Sequence, residues 1–219
     1  MKKILYVGVI AMSLLAVPVA NAAPETSQQV SDSFMSQTQQ LEIQKKIDKI
    51  NQKYGIGEVF SPEDARFIQT YGIKVNKNRS EIIPYSLVDV KNDKWYFKGT
   101  AISNQKNSFL KMEGYAYVDL GLINHKVSTN FYVKDSRENY HQKLSNNLHF
   151  TAYGVVGKDG FIKIADFNLY NECANANFCQ QNKSQDFSGV PVYYTLTPKS
   201  TFTDSFAEVD VPYSEMFKF

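Results

Sequence analysis

The hydrophobic positions of this 219-residue chain change their spacing about a third of the way along it. In the first part they recur at helical intervals: Ile43, Ile47, Ile50 and Tyr54 fall at i, i+4, i+7 and i+11. Lysines and other polar residues occupy the positions between them, as on the solvent side of an amphipathic helix. The pattern predicts a helix over about residues 38–54.

A second helix is predicted from its start signals. Ser61 can cap the helix, and Pro62 suits its first position. Glu63 and Asp64 place negative charge in the first turn, where the helix dipole favours it. We expect the two helices to form a hairpin within residues 39–78 that packs on the rest of the protein.

After about residue 80 hydrophobic and polar residues alternate with a period of two, which is typical of half-buried strands. Turn residues separate these segments, most clearly at Asn104–Asn107 and Gly157–Gly160, and at Lys91–Asp93 before them. The predicted strands lie near residues 83–90, 94–103, 108–120, 126–134, 147–156, 161–170, 190–197 and 204–211.

The order of these elements shows no βαβ alternation, so antiparallel pairing is expected. The predicted fold class is α+β, mainly antiparallel β, with an N-terminal helical hairpin. Residues 79–219 would form the β domain, either a sandwich or a curled meander sheet of about 7–8 strands.

The first 22 residues resemble a secretory signal. Two lysines precede an apolar run of about 14 residues, and small residues stand at Ala20 and Ala22. A transmembrane anchor is the alternative, but the run is shorter than the roughly 20 residues needed to span a bilayer. We expect Sec-type export to the periplasm or the medium, with cleavage after residue 22 and a polar, flexible lead-in over residues 23–38. An outer-membrane location is less favoured.

The two cysteines agree with export. Cys173 and Cys179 form an isolated, even pair, which in an oxidising compartment indicates a disulfide bond. A metal pair would need more Cys or His nearby, and a redox pair is usually Cys-x-x-Cys. We therefore predict a disulfide within an exposed Asn/Gln-rich loop over residues 171–189, and no metal site.

Charge excludes a simple nucleic-acid binder. The chain has 24 Lys+Arg and 22 Asp+Glu, and two of the lysines lie in the predicted signal. Removing that signal leaves 22 basic and 22 acidic residues, without the excess of positive charge that binding to phosphates requires. We expect no nucleic-acid partner, no cofactor, and no membrane association after cleavage.

Catalytic signatures are absent from the sequence. No nucleophile motif occurs, and the three histidines form no metal-binding spacing, so surface or rim positions are expected for them. His149 lies in a predicted strand and could meet Glu113 or Asp119 across strands, which makes these three a weak candidate polar site. No catalytic residue is assigned.

Aromatic residues are the stronger functional clue, because they occur on both faces of some predicted strands. Only one face of such a strand packs in the core, so the aromatic residues of the other face need another explanation. The candidate binding surface consists of Trp95, Tyr96, Tyr115, Tyr117, Tyr132 and Tyr193.

The sequence therefore favours an exported, non-enzymatic bacterial binding or accessory protein that recognises a protein or a glycan. Such a protein would face the envelope or a host, and a role in colonisation or virulence is one possibility. Two alternatives stay open at this point: a secreted hydrolase or carbohydrate-active enzyme with dispersed catalytic residues, and a small outer-membrane β-barrel.

Overall fold

The computed structural model of the protein describes residues 37–75, 91–104, 107–121, 123–158, 160–205 and 207–219. The predicted signal, residues 23–36 of the predicted lead-in and the predicted strand at 83–90 lie outside the described residues. None of the described helices combines the length and the apolarity that crossing a membrane requires.

Two helices lie where the sequence predicts them. Helix α1 spans Gln37–Lys53 and helix α2 spans Pro62–Tyr71. The Ser61 hydroxyl accepts a hydrogen bond from the Asp64 amide at 3.2 Å, which confirms the predicted N-cap. The Asp64 carboxylate in turn accepts a hydrogen bond from the Tyr54 hydroxyl at 2.7 Å, and this ties the start of α2 to the end of α1.

The described strands form two five-stranded sheets, and all their pairings are antiparallel. In sheet 1 the order is β1-β8-β5-β6, with β9 also paired to β8; in sheet 2 it is β10-β2-β3-β4-β7. The strand bounds are β1 Ile73–Lys74, β2 Lys91–Ser103, β3 Ser108–Leu120, β4 Asn124–Asp135, β5 His141–Val156, β6 Gly160–Ala176, β7 Phe178–Ser188, β8 Tyr193–Asp204, β9 Ala207–Pro212 and β10 Glu215–Lys218.

The core lies between the inner faces of the two sheets. Alternate residues of β3, such as Leu110 and Val118, are fully buried there, together with Leu148 and Phe150 of β5. Gly114 belongs to the same face, and an added Cβ atom would lie 2.3 Å from the Phe131 Cα atom. The described part of the chain is thus mostly antiparallel β, roughly a sandwich, with two helices, and this coarse fold agrees with the prediction.

The helices pack on the outer face of sheet 1. Ile47, Ile50 and Ile68 form a second buried cluster with Tyr153 of β5 and Phe161 of β6. The isoleucine stripe predicted from the sequence is therefore the docked face of α1. Among the described elements, none packs on the outer face of sheet 2.

The prediction of a loop at residues 171–189 is wrong, because β6 and β7 occupy almost all of this segment and turn at Asn177. Polar side chains can lie on strands here because they pair with backbone: the buried Gln181 amide donates to the Leu169 carbonyl oxygen at 2.9 Å. The disulfide between Cys173 and Cys179 is confirmed, and it joins β6 to β7.

Other differences concern strand bounds. The predicted turn at Lys91–Asp93 is instead the start of β2. Strands β1, β7 and β10 were not predicted, so the described strands number ten where about 7–8 were expected. β1 and β10 have two and four residues, too few to show an alternating pattern.

Candidate binding face on the second sheet

Four of the predicted aromatic residues share the outer face of sheet 2. Strand alternation places Tyr96 of β2, Tyr115 and Tyr117 of β3, and Tyr132 of β4 on this side, opposite the core. We call this outer face of sheet 2 the tyrosine face. Exposed phenylalanines lie at its edges: Phe178 on β7, and Phe217 and Phe219 at the C-terminus.

The rings form contiguous groups. Tyr96 is the centre of one group, with its ring centroid 5.8 Å from that of Tyr115, 5.8 Å from that of Phe217 and 5.6 Å from that of Phe219. The Lys94 ammonium lies 4.0 Å from the Tyr115 ring centroid, close enough for a cation–π contact. These contacts hold the rings side by side on a surface that no described element covers.

A second aromatic group lies nearer the β7 edge. The ring centroids of Tyr132 and Phe178 are 5.5 Å apart, and the Tyr132 hydroxyl donates a hydrogen bond to Glu113 Oε2 at 3.1 Å. Partial burial, and then the hydrogen bond and negative charge of Glu113, raise the pKa of Tyr132. Tyr132 therefore remains a neutral hydroxyl at physiological pH and can donate or accept hydrogen bonds.

Uncharged hydrogen-bonding groups lie between the aromatic groups. Asn130 faces Tyr115 on one side and Asn182 on the other, and the Gln180 amide donates to Asn130 Oδ1 at 3.1 Å. Ser128 and Ser184 face each other in the adjacent row. The tyrosine face is thus a mixture of aromatic rings, amides and hydroxyls on a regular sheet.

Two predicted members lie elsewhere. Trp95 points to the other side of β2, where its indole donates a hydrogen bond to the Tyr194 hydroxyl at 2.8 Å. Tyr193 belongs to sheet 1 and packs beside Phe161 near the helices. Phe217 and Phe219 were missed as surface members, although their alternate spacing at the C-terminus was a usable signal.

The weak polar candidate is not brought together. His149 lies on the outer face of sheet 1, whereas Glu113 and Asp119 lie on the outer face of sheet 2. Instead, His149 Nε2 lies 2.6 Å from Asp166 Oδ1, and His149 Nδ1 lies 3.9 Å from Asp48 Oδ1 of α1. His149 therefore lies beside the carboxylates of Asp166 and Asp48, and not beside those of Glu113 or Asp119 that the sequence suggested.

A bulge explains why the sequence pattern hid this cluster. The register between β5 and β6 shifts at Ala152/Tyr153, which places Lys163 and Asp166 on the same side of β6 although they are three residues apart. Their side chains form an ion pair, with Lys163 Nζ 2.5 Å from Asp166 Oδ2. Simple alternation would have separated them.

The charges of this cluster do not suit general-base catalysis. Burial lowers the pKa of His149, but the hydrogen bonds and charges of Asp166 and Asp48 outweigh it and raise the pKa to about 9. A general base works best with a pKa near the operating pH, whereas this imidazole is protonated at neutrality. Burial raises the pKa of Asp166, but His149 and Lys163 together lower it to about 2.

The surrounding contacts give the cluster a structural role. The Asn51 amide of α1 donates to the Thr151 hydroxyl at 3.1 Å, and Lys163 Nζ donates to the Asn51 carbonyl oxygen at 2.8 Å. His149 lines neither the cavity of about 520 Å³ beside α1 and α2 nor that of about 410 Å³ near His125. The cluster around His149, Lys163 and Asp166 therefore stabilises the packing of α1 on sheet 1.

The other histidines are buried, contrary to the expectation of surface or rim positions. His141 lies between two carboxylates, with Nδ1 2.8 Å from Asp204 Oδ2 and Nε2 3.0 Å from Asp135 Oδ2. His125 Nε2 pairs with the Gly189 carbonyl oxygen at 2.8 Å. Within the described part of the chain, no group of three or more His, Cys, Asp or Glu side chains could hold a metal ion.

Comparison with known proteins returned no match: no protein-family model, no curated protein and no solved structure matches the chain. The tyrosine face therefore has to be interpreted from its own chemistry.

Proposed function

We propose that this protein is a non-catalytic binding protein and that the tyrosine face binds a glycan. The observation that supports this proposal is the set of adjacent aromatic rings on a sheet face that no described element covers. Exposed aromatic patches of this kind are typical of binding surfaces.

The mixture of groups on the face favours a sugar ligand. A sugar ring offers an apolar C–H surface, which can pack on the rings of Tyr96 and Tyr115, and hydroxyls around its rim. Asn130, Asn182 and Gln180 provide donors and acceptors for those hydroxyls. A stable protein interface usually has a more continuous apolar core, so a protein partner is the less favoured alternative.

Export fits this proposal. The Cys173–Cys179 disulfide is formed, as is usual for proteins of oxidising compartments. We propose that residues 1–22 direct the chain there, where envelope or host glycans are accessible. Signal removal would be tested by N-terminal sequencing of protein recovered from periplasm and medium.

The binding proposal is tested by titrating the purified protein against oligosaccharides from neutral glucans, chitin, polygalacturonate, alginate, hyaluronan and sialylated chains. Tyr96→Ala combined with Tyr115→Ala should weaken binding at least about tenfold, because both ring surfaces are removed.

A matched control is Tyr170→Ala. Tyr170 is also an exposed strand tyrosine, but it lies on the outer face of sheet 1, where its hydroxyl donates to Glu172. This variant should bind like the wild type. Failure of the wild type to bind any of these glycans, or equal loss in both variants, would contradict the proposal.

A further inference from the structure

Residues that face one another across the strands of sheet 2 form rows on the tyrosine face. In two of these rows a lysine lies between two acidic residues. Lys98 of β2 lies between Glu215 of β10 and Glu113 of β3, and its ammonium is 2.9 Å from Glu215 Oε2. Lys126 of β4 likewise lies between an aspartate of β3 and an aspartate of β7. Opposite charges in facing positions stabilise a sheet, so both rows have the favourable arrangement.

A third row breaks this pattern. Lys111 of β3 directly faces Lys134 of β4, and the row continues with Thr100 on β2 and Phe178 on β7. Both lysines are exposed, and neither forms an ion pair with any carboxylate in the described part of the chain. Like charges directly opposite each other destabilise a sheet, so this row weakens the free protein unless an anion lies over it.

The nearest carboxylate on this side of β3 is directed elsewhere. Glu113 accepts its hydrogen bond from Tyr132 at 3.1 Å. The Lys111 ammonium lies 5.4 Å from the ring centroid of Phe109, which is the neighbour on the side away from Glu113. The lysine pair therefore remains available to an anion from outside.

We propose that Lys111 and Lys134 form a subsite of the tyrosine face for the carboxylate of an acidic sugar, a uronic acid unit within the bound glycan. This inference rests on the proposed function and adds the class of its ligand. The sugar ring would pack on the neighbouring Tyr132 and Phe178 rings, whose centroids are 5.5 Å apart. Its carboxylate would lie between the two ammonium groups and replace their repulsion by attraction.

The test compares each uronate oligosaccharide that the wild type binds with its carboxyl-reduced counterpart, which has the same linkages and no charge. At about 50 mM NaCl the wild type should prefer the acidic form roughly tenfold, and at about 500 mM most of the preference should disappear because salt screens exposed charges. Lys111→Gln and Lys134→Gln should each reduce the preference, and the double variant should abolish it.

Lys126→Gln is the matched control, since this lysine is on the same face but already lies between two aspartates. It should leave the preference unchanged. The double glutamine variant should also unfold at the same or a higher urea concentration than the wild type, because the repulsion is gone.

The outcomes separate the two proposals. Binding of glycans without any preference for the acidic form, or a preference that survives in the double variant, would overturn the lysine subsite alone. Equal binding of a sulfated neutral oligosaccharide would overturn the assignment to a carboxylate. Absence of binding to every glycan would overturn the proposed function itself.

Discussion

At the scale of single residues, His141 joins the two sheets. Asp135 ends β4 in sheet 2, Asp204 ends β8 in sheet 1, and the His141 ring pairs with both. Each ring nitrogen therefore pairs with one carboxylate oxygen, one from each sheet. Burial raises the pKa of Asp135, but the Arg137 amide and the His141 ring outweigh it and lower the pKa below its usual value.

His141→Ala should destabilise the protein by about 3–5 kcal/mol, because both carboxylates lose their imidazole partner and the buried Asp135 is left with neutral donors such as the Arg137 backbone amide. Urea unfolding followed by circular dichroism measures the change. Lys199→Ala is the control: its ion pair with Asp210 is about half exposed on both sides, and its loss should cost less than about 1 kcal/mol. Equal effects of the two variants would argue against a structural role for the His141 pairing.

The cluster around His149 makes stability depend on pH. His149 titrates near 6.5 when unfolded and at about 9 when folded, so its contribution is complete below pH 6.5 and is lost as pH rises to about 9. Asp166, with its pKa lowered from 3.8 to about 2, contributes fully above its unfolded value and loses that contribution as pH falls towards 2. The wild type should therefore be less stable at about pH 9 than at about pH 6.

His149→Gln removes the titrating ring, so its stability should change less between these two pH values. Urea unfolding of both proteins at each pH gives the four free energies that are needed. If the free energies of unfolding of wild type and variant differ by the same amount at both pH values, the folded-state pKa of His149 is not raised by its carboxylate neighbours.

At the scale of elements, the sequence predicts well what depends on local patterning. Helix α1 and strand β3 follow from their apolar spacing, and the start of α2 follows from Ser61 and Pro62. Strand β7 could not be predicted in this way, because its polar residues pair with groups distant in sequence. The Gln181 amide nitrogen donates to the Thr129 hydroxyl on β4 and to the Leu169 carbonyl oxygen on β6.

The disulfide acts on the β6–β7 connection. Cys173→Ala and Cys179→Ala should each destabilise by about 2.4 kcal/mol on the loop-entropy model, since each removes the same bridge. The double variant should then lose little more than either single variant, and calorimetry or urea unfolding can test this. Additive losses would indicate that the two side chains stabilise the protein separately, with the fully buried Cys179 contributing through packing.

For the molecule as a whole, the sequence could not predict which sheet has its outer face covered by the helices and which has it exposed. Alternation predicts that Tyr115 and Tyr117 share a face, but not whether a helix covers that face. The answer depends on where the isoleucine stripe of α1 docks, and it docks on sheet 1 through Tyr153 and Phe161. For the same reason Tyr193 was grouped with the surface tyrosines, although it packs near the helices. Trp95 is a different case, because it adjoins Tyr96 and alternation itself places it on the opposite face of β2.

This arrangement predicts that stability and binding can be changed independently. Ile47 of α1 is buried, with 6% of its surface exposed, and packs on the face of sheet 1 that is turned away from sheet 2. Ile47→Asp buries an unpaired charge there and should unseat α1 or destabilise the protein by several kcal/mol, whereas Lys49→Asp at an exposed position of α1 should have little effect. Urea unfolding and near-ultraviolet circular dichroism report both changes.

The same Ile47→Asp protein should retain the glycan affinity of the wild type at a temperature where it is still folded, because the tyrosine face is supported by the core and not by α1. Tyr96→Ala with Tyr115→Ala should show the reverse, with weaker binding and a smaller loss of stability, since both side chains are only partly buried. Loss of binding in Ile47→Asp while the near-ultraviolet band of Trp95, the single tryptophan and a residue of β2, is kept would mean that α1 contributes to the ligand site. The assignment of binding to the tyrosine face alone would then be wrong.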